Sequence, residues 1–154
     1  MAVHPLLDEV NRAIIAELAE DPRLTRAELA RRVNLSSPAV ADRLARLEDA
    51  GVIRHRLDID PAALDLTLTA WVRVRPAPRQ LPKIAELAER LPEVVACDRV
   101  SGEDCFLMRL HVRSMPHLEE LLDRFLAFGQ TTSSFVVASP VPLRPLDVEA
   151  LLVD

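Results

Sequence analysis

Apolar positions repeat along this chain with two different periods, and the change of period divides it in two. Leu7, Val10, Ile14 and Leu18 recur at steps of three and four, which makes one face of a helix of about three turns. Asp21-Pro22 ends that helix. Thr25-Arg26-Ala27-Glu28 has the form of a capping box, in which the Thr25 hydroxyl and the Glu28 carboxylate each accept from the other's backbone N–H. Leu29 and Val33 give a short second helix its core face, and Asn34-Leu35 turns the chain. Ser36-Ser37-Pro38 then reads as a helix start, with serine at the cap and proline at a position whose missing N–H costs nothing. Val40, Leu44 and Leu47 supply the buried stripe of this third helix, and Gly51 suits a left-handed C-terminal cap. Val52 to Leu57 reads as a strand, either the wing of a winged helix or a hinge that pairs with another subunit. Asp58-Ile59-Asp60-Pro61 is turn-prone, so a first domain is expected over 1–57 and a linker over 58–65.

Beyond the linker the period falls to two. Leu66, Leu68, Ala70, Val72 and Val74 alternate with Thr67, Thr69, Trp71, Arg73 and Arg75, the pattern of a strand with one buried face. Pro76 and Pro78 stop it. Ile84, Leu87, Ala88 and Leu91 return to helical spacing, and Leu91-Pro92 closes that helix. Strands are expected at Val94–Ser101 and at Phe106–Val112, joined by a tight turn at Gly102-Glu103-Asp104. Ser114 caps a further helix faced by Leu118, Leu121, Leu122, Phe125 and Leu126. Gly129 is expected to end it, and Phe135–Ala138 to form the last strand. The order β-α-β-β-α-β over 66–145 is the ferredoxin-like arrangement, with both helices on one sheet face. The fold class expected is therefore α+β, a helix-turn-helix joined by a strand hinge to a ferredoxin-like domain. The other sheet face would carry Trp71, Arg73, Arg75, Arg109, His111 and Arg113 among apolar residues. Such a semi-apolar face suggests a partner sheet and a dimer, against the plainer reading of a monomer with a polar face. His111 reads as a wet sheet residue. Residues 146–154 read as a strand, a partner contact or a frayed tail.

Composition narrows the partners. The net charge is −5 over 154 residues, which by itself argues against nucleic acid. The distribution argues the other way: Arg23 to Arg56 holds eight arginines against Glu28, Asp42, Glu48 and Asp49, a local net charge of +4. All basic residues but Lys83 are arginines, so placement carries more weight than number. A helix, a turn and a longer helix make the helix-turn-helix plan, whose second helix lies in the DNA major groove and reads base edges from its N-terminal part. On that helix Ser36, Ser37, Pro38, Ala39, Asp42, Arg43 and Arg46 lie opposite or beside the buried stripe. Arg43 and Arg46 are the candidates for phosphates or guanine edges, and Arg31 and Arg32, closing the preceding helix, for the DNA backbone. The plainer reading is a three-helix bundle with solvated arginines.

Cys97 and Cys105 read as reduced thiols on neighbouring strands, and with His111 and His117 they are too few and too widely spaced for a metal site. No run of ~20 apolar residues is present to span a bilayer. The first eight residues lack a basic segment followed by an apolar one, so the chain is expected in the cytoplasm.

These motifs together resemble the leucine-responsive/asparagine-responsive (Lrp/AsnC) family of transcription regulators. The resemblance rests on 7–15, on Glu28-Leu29-Ala30-Arg31-Arg32-Val33, and most specifically on the run from Leu35 through Gly51-Val52-Ile53. Pro92-Glu93-Val94, Val100 to Leu107 and Phe128 to Ser134 add to it. It implies dimers built through the ferredoxin-like domains, assembled further into tetramers or octamers. It also implies an amino-acid effector at the turn after the second strand and the loop before the last. Carried over by position, that site is Ser101, Gly102, Glu103, Asp104 and Cys105, with Thr131, Thr132 and Ser133 opposite. N–H groups at a glycine turn and nearby hydroxyls suit a carboxylate, and an acid suits the ammonium; the plainer reading of the turn is an ordinary hairpin. Two positions depart from the family. Its frequent Gly-x-x-Asp has Cys105 in the fourth place with Asp104 one earlier, and Asn11 stands where aspartate is frequent. The expectation is an amino-acid-responsive DNA-binding regulator with no other cofactor. The alternatives are an architectural DNA-binding protein without effector and an enzyme similar to sirohaem decarboxylases. For the last, His55, His111 and His117 give no evident catalytic set.

Overall fold

The computed structural model describes residues 3–152. The chain divides into two compact units, Met1–Leu57 with Val141–Asp154, and Asp58–Pro140. No helix among the described residues is long and apolar enough to cross a membrane.

In the first unit three helices, α1 (Glu9–Glu20), α2 (Arg26–Arg32) and α3 (Ser37–Asp49), enclose a small core. Each begins with a side-chain cap. Asp8 accepts from the Asn11 N–H, Thr25 and Glu28 close their reciprocal box, and Ser36 accepts from the Ala39 N–H. Ile14, Leu29, Ala30 and Val40 are fully enclosed, with Val10, Leu18, Leu24, Val33, Leu35 and Leu44 packed round them. The turn between α2 and α3 runs through Asn34 at φ 53°, a left-handed position that asparagine tolerates. The Leu35 N–H returns to the Ala30 carbonyl at 2.9 Å. Near the chain's end, Val148–Leu151 forms one short helical turn, capped by Asp147 and packed against α1.

Within one chain, the expected strand over Val52–Leu57 has no partner and so does not form as a wing. After Gly51 (φ 67°) the Val52 and Ile53 N–H groups both turn back to the Leu47 carbonyl, at 2.9 and 3.3 Å, finishing α3. Residues 54–60 carry no regular secondary structure, and Leu57 stays 82% exposed. A strand exists only where another backbone meets its N–H and C=O groups, and among the described residues none does so here.

The second unit opens on a 3₁₀ turn, Pro61–Leu64, capped by Asp60. It then builds β1 (Leu68–Pro76), α4 (Leu81–Arg90), β2 (Val94–Arg99), β3 (Phe106–Val112), α5 (Met115–Leu126) and β4 (Gly129–Phe135). The four antiparallel strands lie in the order β2-β3-β1-β4, as the β-α-β-β-α-β reading requires. Cross-strand partners share a face. Ala70, Val72 and Val74 therefore stand with Phe106, Met108, Leu110 and Val112 on one side. There they pack with Ile84, Ala88 and Leu91 and with Leu118, Leu121 and Phe125. Leu126, expected on the apolar face of α5, is instead exposed.

The last strand also differs from expectation. It covers Gly129–Phe135 rather than Phe135–Ala138, so Thr131, Thr132 and Ser133 lie within a strand and not in a loop. Pairing with β1 decides this: the hydroxyl-rich run has no apolar stripe, yet every residue from Gly129 to Phe135 finds a partner between Pro76 and Ala70. Gly129 opens the strand and does not cap the helix. A Cβ there would stand 2.3 Å from the Arg75 carbonyl oxygen, so only glycine lets the two backbones approach.

Candidate DNA-contact helix and effector depression

Helix α3 presents a polar stripe away from the core. Ser36, Ser37, Pro38, Asp42 and Arg46 are exposed, and Ala39 is half-buried at the edge. Arg46 is held by Asp42, Nη2 to Oδ2 2.6 Å, one helical turn back with both side chains mostly in solvent. Such a pair is worth little and opens readily. Arg31 is exposed in the last turn of α2. Arg32 is turned toward α1, where its Nη1 donates to Glu17 Oε2 at 2.6 Å.

Arg43, expected to reach outward, is drawn inward. Its side chain is only 25% exposed. Nη1 donates to Asp8 Oδ2 at 2.7 Å and to Asn11 Oδ1 at 3.0 Å. Asn11 is itself buried, and its Nδ2 donates to the Leu6 carbonyl at 2.7 Å. The Arg43 guanidinium, then the Asn11 N–H, hold the Asp8 carboxyl below the usual carboxylate range. Arg43 thus ties the middle of α3 to the cap of α1. This also accounts for asparagine at position 11: a carbonyl faces Arg43 while an amide faces Leu6, which a carboxylate cannot do.

In the second unit the sheet face away from α4 and α5 carries Thr69, Trp71, Arg73 and Arg75 of β1 with His111, Arg109 and Leu107 of β3. The Arg109 guanidinium lies 5.9 Å from the centre of the Trp71 ring. His111 is not wet as expected; it is 9% exposed, with Thr69 Oγ1 2.9 Å from its Nδ1. Burial first, and Arg109 second, lower its pKa, so the ring is neutral at pH 7.

At one end of this face an open depression of about 410 Å³ is lined by Arg73, Arg75, Val100, Ser101, Glu103, Asp104 and Leu107. Arg75 pairs with Glu103 through Nη2, and its Nε lies 3.6 Å from Asp104 Oδ1. Arg73 Nη1 is 3.8 Å from Asp104 Oδ2. Of the expected effector residues, Ser101, Glu103 and Asp104 gather here. Gly102 forms the turn at φ 112°. Thr132 stands opposite Arg73 on the same face, whereas Thr131 and Ser133 pair with Val74 and Val72 and face the helices. Cys105 packs against the core, its thiol directed at the Gly102 and Glu103 carbonyls, 3.7 Å from each. Arg73, Arg75, Val100 and Leu107 were not among the expected effector residues. The signal for the arginines was their spacing of two on a strand, which puts both on the face where the turn ends. Among the described residues no three His, Cys, Asp or Glu side chains group as a metal-binding set.

Residues 7–54 match the family described as winged helix-turn-helix DNA-binding, and residues 69–146 the Lrp/AsnC ligand binding domain. The HTH-type transcriptional regulator LrpA of Mycobacterium tuberculosis is 38% identical over 140 residues, 90% of this chain and 91% of that protein. LrpC of Bacillus subtilis is 28% identical over 131 residues, 84% and 91% of the two chains. The solved structure of the Neisseria meningitidis transcriptional regulator NMB0573 in complex with L-Met superposes with a TM-score of 0.83 at 31% identity, covering 95% of this chain and 99% of that one. With a DNA-binding domain, a ligand-binding domain and relatives of matching length, this chain belongs to the Lrp/AsnC family of transcriptional regulators.

Proposed function

We propose that the chain regulates transcription by setting α3 in the major groove and by binding an amino acid in the depression at the end of the open sheet face. The observation that carries the first half is the exposed stripe of Ser37, Pro38, Asp42 and Arg46, which runs from the first turn of a capped helix to its last, behind a short turn from α2. Ser37 meets a phosphate or base edge, and Arg46, released from Asp42, meets a phosphate or guanine. Arg31 meets the backbone, while Arg43 and Arg32 brace the helices that present these groups. The second half is supported by charged groups of both signs beside Val100 and Leu107, and by the L-Met complex of the Neisseria relative. Homodimers form across the open sheet face, where Trp71 is 37% exposed, and assemble further to tetramers or octamers. The protein works in the cytoplasm as a regulator and not as an enzyme. His55, His111 and His117 have separate partners, Glu48, Thr69 and Glu93, and do not combine into one catalytic set.

The test is fluorescence anisotropy with DNA from immediately upstream of the protein's own gene, at two salt concentrations, against unrelated competitor. Specific binding that weakens steeply with salt is expected. Arg46→Ala should weaken it and reduce the salt slope by about one phosphate. Binding with no sequence preference and no salt slope would refute the proposal.

A further inference from the structure

Residues 141–154 group with the helical unit although they follow the sheet of the second unit in the chain. The chain therefore crosses between the units twice, at 57–58 and at 140–141, and the second unit is joined to the first at both of its ends. We propose that the C-terminal segment is a latch. Its last helical turn, α6 (Val148–Leu151), docks on α1 and restrains the movement of the helical unit relative to the second, and releasing it loosens the placement of α3 on DNA. The consequence for DNA rests on the helix-turn-helix reading above; the restraint itself does not.

The root of the segment is fixed. The Val136 N–H donates to the Thr69 carbonyl at 2.9 Å, carrying the pairing with β1 one residue past β4. Residues 137–147 are then all exposed and carry no helix or strand. Pro140, Pro142 and Pro145 stiffen this strap; a proline-rich spacer extends ~3.1 Å per residue and transmits position better than a flexible coil. Its apolar side chains do not hold it, since Val137, Val141, Leu143 and Leu146 stand in solvent. The hold falls on α6. Asp147 caps it at the Ala150 N–H, 3.0 Å away, Val148 and Leu152 are half-buried, and the turn packs against α1. On α1 the half-buried Ile15 and Ala16 lie outside the core cluster of the unit, and even the Arg12 Nε is enclosed, so α1 has a second covered side. A helix of four residues does not persist alone, because nucleating it costs more than one turn returns. The turn therefore folds only while docked, and with none of its residues fully buried the docking is shallow and reversible. Its grip reaches the DNA-contact helix, because Asp8, the cap of α1, holds Arg43 of α3 at 2.7 Å. A head restrained in this way has less freedom to lose when it settles on DNA.

Two full-length variants test this. Val148→Asp with Leu152→Asp puts two charges on the docking side of the turn. Pro142→Gly with Pro145→Gly loosens the strap and leaves the turn intact. In a Cys105→Ser background, spin labels on the exposed Cys97 of the second unit and on Asp49→Cys at the exposed end of α3 report the distance between the units by pulsed EPR. Labelled chain is co-assembled with an excess of unlabelled chain, so that each pair of labels lies within one chain. The distance distribution should broaden in both variants, more in the first. Affinity for DNA from upstream of the protein's own gene should fall roughly tenfold in the first variant, less than the full gain from linking two modules because the tether at 57–58 remains. Hydrogen exchange in α2 and β1 establishes that both units stay folded. A distribution of unchanged width in Val148→Asp with Leu152→Asp would overturn the latch. Unchanged or tighter DNA binding in a variant whose distribution has broadened would overturn it equally. Absence of specific DNA binding in the unaltered protein would refute the helix-turn-helix reading instead, and the width of the distribution would still decide the restraint.

Discussion

Arg43→Ala separates two jobs that a helix-turn-helix arginine can do. In the structure Arg43 reaches α1, not solvent, with 2.7 Å to Asp8 and 3.0 Å to Asn11. The ion pair contributes modestly, because Asp8 is half exposed and screened pairs of this kind are worth ~0–1 kcal/mol. The larger loss falls on Asn11, only 3% exposed, whose Oδ1 loses the arginine donor; a buried acceptor left unpaired costs ~1–3 kcal/mol. The helical unit should therefore lose about 1–3 kcal/mol, and each kcal/mol in a domain of this size lowers the melting temperature by ~4–8 °C. Native-state hydrogen exchange of α1 and α3 reads this directly, since the two units need not unfold together. A cycle with Asp8→Ala should show a coupling above ~0.5 kcal/mol. The pH dependence has a definite sign. The Asp8 carboxyl is lowered in the folded state, so its contribution is present above the unfolded value of ~3.9 and is lost as pH falls through the lower folded one. That acid loss of protection should be present in the native protein and smaller in Arg43→Ala, where the Asn11 N–H still holds the carboxylate. If Arg43→Ala leaves exchange in both helices unchanged and still removes DNA affinity, the bracing role is wrong and Arg43 touches DNA.

Three further outcomes follow from single positions. Gly129→Ala should destabilise the second unit by about 2–4 kcal/mol in thermal unfolding, because the new Cβ meets backbone that cannot swing aside, the Arg75 carbonyl oxygen at 2.3 Å; it should also disturb ligand binding through Arg75. His111 titrates below its usual value when folded, so the unfolded chain takes up the proton first and stability should fall as pH drops through ~6.5; His111→Gln, beside Arg109 and Asp58, should flatten that slope between pH 7.5 and 5.5. Ser36→Ala removes the cap at the Ala39 N–H and should cost ~1 kcal/mol of helix stability by exchange at the start of α3.

Much of the fold was legible because its elements announce themselves locally. Capping side chains and apolar periods placed all three N-terminal helices, and the strict alternation of β1 and β3 gave the sheet its centre. The failures came where structure depends on a partner backbone. Val52 to Leu57 has the composition of a strand but meets no ladder. Gln130 to Ser134 has the composition of a loop but borders β1, which supplies one. Side-chain pattern reports burial and says little about hydrogen-bond supply, so it misplaced the last strand and could not say that Val52–Leu57 lacks a ladder within its own chain.

The candidate sites follow the same rule at the level of side chains. Ser37, Pro38 and Arg46 were readable as outward-facing because helical geometry alone fixes their direction. Arg43 shares that helix, and its position beside the buried stripe leaves two destinations for a long side chain. The choice was made by Asp8 and Asn11, thirty-odd residues earlier in the chain, and no spacing within α3 carries that information. The turn from Ser101 to Asp104 was likewise readable from resemblance, yet its counter-charges come from β1. A guanidinium on a flexible stem takes whichever acceptor the fold brings within reach. An arginine's role is therefore set by the residues that surround it and only weakly by its own position, in the helix and in the sheet alike.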